Sequence, residues 1–196
     1  MPRVYGASPR FLSTGRQRGV TLVELMVALV ILAIVLAKGI PSFKDWIQNT
    51  QIRNAAESIL NGLQLTQGEA VRLNAQVQFV RTASSSWTIG CVVSAVACPA
   101  TLQSRSSTEG SSNAQVTATQ NIITFDNLGR VTPVSATSLT FSVTNPTGGT
   151  CVAVGGSMRC LNVVVDIGGL LRMCDPVFSR TANPNPLGLP VGPQGC

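Results

Sequence analysis

Six cysteines, Cys91, Cys98, Cys151, Cys160, Cys174 and Cys196, and one carboxylate, Glu24, set inside an apolar run, are the side chains whose types and spacing could do chemistry in this chain. Cysteines bind metals, act as nucleophiles or pair as disulfides. The chain has no histidine, which removes the commonest metal ligand and the usual base beside a cysteine or serine nucleophile. None of the six shows paired C-x-x-C spacing, so the residues argue against a zinc site. No metal or other cofactor is expected, and no enzymatic activity: the many serines lack a base, and Lys38 and Lys44 flank the apolar run instead of a pocket.

Glu24 raises a different question. Residues 25–37 are thirteen consecutive apolar residues, and the run extends back to Val20 if Glu24 and Thr21 are counted within it. That approaches the roughly 20 residues a bilayer-spanning helix needs. Ahead of it lie Arg3, Arg10, Arg16 and Arg18 with no acid among them, which keeps that end in the cytoplasm and sends the rest outward. Without residues 1–19, ten basic residues face eight acidic ones and the net charge drops from +6 to +2, so the basic balance says little about a nucleic-acid partner.

Three readings of this segment compete. A secretory signal would use Val35-Leu36-Ala37 as its cleavage site, and a plain anchor would simply stay in the membrane. Neither explains Glu24, whose carboxylate costs roughly 2–4 kcal/mol near a bilayer and so needs a partner or a role. Cleavage after Gly19 supplies one: it frees an amine on Val20, which in a bundle of such helices can neutralise the Glu24 carboxylate of a neighbour.

The run Gly19-Val20-Thr21-Leu22-Val23-Glu24-Leu25-Met26-Val27 resembles the class III prepilin signal of type IV pilins and type II secretion pseudopilins. The resemblance implies that a prepilin peptidase cuts after Gly19 and methylates Val20, and that Glu24, the fifth mature residue, directs assembly with other pilin or pseudopilin subunits. Pro41 matches a proline common in the family and is expected to break or kink the helix locally. Val20 departs from the family, where phenylalanine is commonest.

Beyond Pro41, Phe43, Trp46, Ile47, Ile52, Ala55, Ala56, Ile59, Leu60, Leu63, Ala70 and Val71 recur at helical spacing, a core-facing stripe on a helix running to about Asn74. Gly62 and Gly68 each weaken it by about 1 kcal/mol. The period then changes. Residues 77–80, 87–89, 115–119, 122–125, 139–143, 151–154 and 161–167 are short, β-branched and separated by turn formers, as expected of an antiparallel head. Residues 103–113 read as a polar loop.

An even number of cysteines outside the cytoplasm points to disulfides. Sequence does not fix their connectivity, though proximity favours Cys91 with Cys98, Cys151 with Cys160, and Cys174 with Cys196, the last pinning the Pro- and Gly-rich tail 181–196.

Two head segments, Phe125-Asp126-Asn127-Leu128-Gly129-Arg130-Val131 and Gly168-Gly169-Leu170-Leu171-Arg172-Met173-Cys174, resemble the minor pseudopilin and pilin group of GspH, FimT and FimU. FimT-type heads capture DNA through a Gly-Arg-x-Arg motif; here Gly169-Leu170-Leu171-Arg172 keeps only the last arginine. Arg159, Arg172 and Arg180 are the candidate DNA contacts, and losing one phosphate contact weakens binding.

The expectation is therefore an α+β, pilin-like chain: leader 1–19, a long helix 20–74 (membrane or filament-core part 20–40, amphipathic part 41–74) packed on an antiparallel β head 75–196. It would sit in the inner membrane with its head in the periplasm, then prime or cap a type II secretion pseudopilus or type IV pilus. DNA capture in transformation is the alternative.

Overall fold

The computed structural model describes residues 19–178 and 195–196. The fold is α+β: helix α1 (Leu22–Leu73), then strands β1 (Val77–Ala83), β2 (Ser86–Cys91), β3 (Gln103–Arg105), β4 (Gln115–Ala118), β5 (Ile122–Phe125), β6 (Val131–Thr132), β7 (Leu139–Thr144), β8 (Leu161–Val165) and β9 (Leu171–Cys174). The chain divides into two compact units, Met1–Ile40 and Pro41–Cys196. Backbone helix continues through Pro41, so the break expected there is not found.

In the second unit the strands form two sheets, ordered β3-β2-β1-β5-β6 and β4-β7-β8-β9, with every neighbouring pair antiparallel. Strand β7 shows the period-two logic plainly. Leu139, Phe141 and Val143 are buried, while Thr140, Ser142 and Thr144 between them are half-buried, because successive side chains leave opposite faces of a strand. Ile52, Ala55, Ala56, Ile59, Leu63 and Ala70 of α1 are fully buried against these faces. Phe79 of β1 meets Phe141 of β7 edge-on at 5.8 Å, a geometry aromatic quadrupoles favour, and so joins the two sheets.

Gly62 has a structural reason. A Cβ there would lie 2.8 Å from Phe79 Cε2 and 3.0 Å from Trp87 Cε2, so the missing side chain lets α1 approach β1 and β2 closely. Trp87 Nε1 in turn donates to Ser58 Oγ at 2.9 Å in the buried interface, which satisfies the indole as it is desolvated.

Several elements differ from the sequence pattern. Gln103–Arg105, part of the expected loop, is edge strand β3, with Trp87 opposite Arg105; an edge strand needs no apolar face, so hydropathy gave no signal. Cys151–Val154 is not a strand. Val152–Val154 is a short 3-10 turn closed by the left-handed Gly155 at φ 85°, inside the loop that the Cys151–Cys160 bridge ties off. Ile167 lies in a turn past β8 and is exposed, and Phe43, Trp46 and Val71 are exposed instead of joining the core stripe.

Candidate functional site

The described part of the first unit begins at Gly19 and carries one feature, the start of α1. Thr21 caps the helix: its Oγ1 accepts from the Glu24 backbone N–H at 3.2 Å, and its carbonyl accepts from Leu25 N at 3.1 Å. Thr-x-x-Glu is the pattern of a capping box, and an acid in the first turn suits the positive end of the helix dipole. Glu24 thus stands five residues past Gly19, exposed, on a helix whose most apolar 18-residue window has mean hydropathy 2.5 and none of it buried within the chain. Such a surface, apolar on all sides, is unstable in water and calls for lipid or other helices around it.

In the head, the two segments singled out in the sequence come together. Each carries the glycine of the same kind of turn. Gly129 N donates to Asp126 O at 2.9 Å and Asp126 N to Arg130 O at 2.8 Å; likewise Gly169 N donates to Asp166 O at 2.8 Å and Asp166 N to Leu170 O at 2.9 Å. Both glycines adopt left-handed backbone, φ 75° and 83°, which a side chain would strain. Gln67 of α1 bridges the two turns, its Nε2 donating to Gly129 O at 2.7 Å and to Gly169 O at 3.2 Å. One helical amide therefore locks the β5–β6 hairpin of one sheet to the β8–β9 hairpin of the other. The sequence singled out the turns but not Gln67.

Charge at the turns is locally balanced. Asp126 Oδ1 accepts from Leu128 N and Arg130 N at 2.9 and 2.8 Å, and its Oδ2 faces the Arg130 guanidinium at 3.1 Å. The Arg130 N–H foremost, with the Leu128 N–H and the guanidinium adding to it, holds the Asp126 carboxyl below its usual range.

The candidate DNA contacts are engaged separately. Arg172 Nε donates to Asp166 Oδ2 at 3.1 Å, and its NH1 is buried without a hydrogen-bond partner. Arg159 NH2 donates to Asp175 Oδ2 at 2.8 Å, beside a groove of about 500 Å³ that Trp46, Arg53, Leu161 and Met173 also line. Arg180 lies outside the described residues, as does the leader ahead of Gly19. The six cysteines form three bridges, Cys91–Cys98, Cys151–Cys160 and Cys174–Cys196, and no cluster suited to a metal occurs among the described residues.

Comparison with known proteins gives two family matches. The model described as type II transport protein GspH matches residues 55–169, and the prokaryotic N-terminal methylation motif matches residues 14–37. No curated protein sequence matches the chain. Similar solved structures include the type IV minor pilin FimU of Pseudomonas aeruginosa, at 18% identity over 62% of this chain and 87% of that one, with a TM-score of 0.48. The minor pseudopilin EpsH from the type 2 secretion system of Vibrio cholerae is similar at 14% identity over 64% and 98%, with a TM-score of 0.47. GspH of E. coli is similar at 16% identity over 69% and 95%, also with a TM-score of 0.47.

Proposed function

Because the chain belongs to the family of the type II transport protein GspH, we propose that it is a minor pilin or pseudopilin that primes or caps a type II secretion pseudopilus or a type IV pilus. It is a structural subunit, not an enzyme. Prepilin peptidase cleaves it after Gly19 and methylates Val20; the apolar helix anchors it in the inner membrane with the head in the periplasm, and then packs among the helices of other subunits.

The observation that carries this reading is Glu24, in the first turn of an apolar helix unburied within the chain and four residues past Val20. In an apolar bundle the carboxylate is costly alone, and the amine of a cleaved neighbour compensates it. Assembly register then follows from charge pairing, while apolar packing supplies the non-directional attraction.

Glu24→Val tests this. The cap uses the Glu24 backbone N–H, which valine keeps, so the helix start survives. The variant is expected to be cleaved normally and to be lost from purified filaments; recovery in filaments at the wild-type level would sink the pairing argument. Among the described residues DNA capture has no observation in its favour, since Arg159 and Arg172 each engage a carboxylate.

A further inference from the structure

The head leaves the beginning of its own helix bare. Residues 42–46 are all exposed, and cover begins at Ile47. Two of the five are aromatic: Phe43 is 60% and Trp46 63% exposed. Their rings stack on each other, with centroids 5.7 Å apart and planes at 26°. The chain's other tryptophan, Trp87, is by contrast buried and hydrogen-bonded to Ser58. Large aromatic side chains left in water forgo the stabilisation that burial gives, so a stacked pair outside the core calls for an environment beyond the head.

Position along the chain indicates which one. Phe43 and Trp46 come three and six residues after the end of the expected membrane or filament-core part 20–40, whose 21 residues match the roughly 20 that a hydrocarbon core takes, and so lie roughly 5–9 Å of helical rise beyond it. The headgroup layer on each side of the hydrocarbon core is roughly 5–8 Å thick. Aromatic rings with an adjacent lysine, here Lys44, are the side chains enriched at that level, where the ring meets the acyl boundary and the cation meets phosphate. Arg53 follows seven residues past Trp46 and lines the same groove, but it is paired with Glu57 at 2.8 Å, which leaves Lys44 as the cation beside the rings. Asp45 is the single acid in the stretch and is exposed, free to point into water.

We propose that Phe43, Lys44 and Trp46 form an interfacial collar that docks into the lipid headgroup layer of the membrane and sets the depth at which the chain rests before assembly. The collar rests on the membrane anchorage proposed above. It also explains why these rings follow the helical stripe in sequence yet lie outside the protein core.

The full chain, reconstituted into vesicles of phosphatidylethanolamine and phosphatidylglycerol, provides the test. Vesicles carry lipids brominated either near the headgroup end of the acyl chain or near its terminal methyl, and the Trp46 signal is the difference between wild type and Trp46→Phe. The collar requires loss of the Trp46 emission with shallow bromines, weaker loss with deep ones, and no comparable loss in the variant. A chain that floats with the vesicles but whose Trp46 is unquenched, or is quenched more by deep bromines, overturns the collar and leaves the anchorage intact. A chain that does not float with vesicles overturns both.

Discussion

Gly62 and Gly68 both interrupt α1 with a residue poorly suited to a helix interior, and replacing them with alanine should have different effects. Alanine gains about 1 kcal/mol of helix propensity over glycine at either site. At Gly68 nothing lies within 4 Å of the new Cβ, so the whole gain should appear. At Gly62 the Cβ would sit 2.8 Å from Phe79 Cε2, 3.0 Å from Trp87 Cε2 and 3.2 Å from Trp87 Cδ2. Neither ring can withdraw easily: Phe79 is fully buried against Phe141, and Trp87 is held by Ser58. Overpacking of this kind costs about 1–3 kcal/mol, which meets or exceeds the propensity gain. Gly68→Ala should raise Tm by about 2–4 °C for a chain of this size, and Gly62→Ala should leave it unchanged or lower it by up to about 8 °C. Thermal unfolding of the oxidised protein in detergent, followed by near-ultraviolet circular dichroism, reads both. If Gly62→Ala stabilised the protein as much as Gly68→Ala, the close approach of α1 to β1 and β2 would not be what the glycine serves.

Other perturbations probe the head turns and the tail. Gln67→Ala removes two donated hydrogen bonds, at about 1 kcal/mol net each, and should speed amide exchange at both Gly129 and Gly169; faster exchange at one turn alone would mean that the amide does not couple them. Cys174→Ser opens a loop whose ends are 22 residues apart and should cost about 3 kcal/mol on chain-entropy grounds, measured by urea titration under oxidising conditions. Asp126 has a folded pKa below its unfolded value, so its contribution is present above the unfolded pKa and is lost as pH falls through the folded one. The Tm advantage of wild type over Asp126→Ala should therefore hold at neutral pH and shrink in acid, below about pH 4; an advantage independent of pH would show that the Asp126 charge does not matter.

What the sequence made legible was whatever repeats locally. The apolar run, the buried stripe from Ile52 to Ala70 and the strand at 139–143 are local patterns of composition and spacing, read by the same physics that forms them. β3 escaped because a three-residue polar edge strand, Gln103–Arg105, has no apolar face to betray it. Cys151–Val154 misled because β-branched residues beside a cysteine look like a strand, whereas a disulfide closing a nine-residue separation and the left-handed Gly155 bend the backbone into a turn.

Long-range meetings were the other blind spot. Asp126-x-x-Gly129 and Asp166-x-x-Gly169 share a spacing visible in the sequence, and each predicts a tight turn by itself. Nothing local says that the two turns touch, or that Gln67, 62 residues from one and 102 from the other, reaches both. Phe43 and Trp46 show the converse case. Their helical spacing placed them in a stripe, but spacing reports only that residues share a face, not what that face meets. The head begins to cover α1 at Ile47, so one continuous stripe is divided between two environments. On the anchorage and assembly proposed above, that division lies where the helix leaves the membrane or filament core for the head, and the exposed rings fit that change of surroundings.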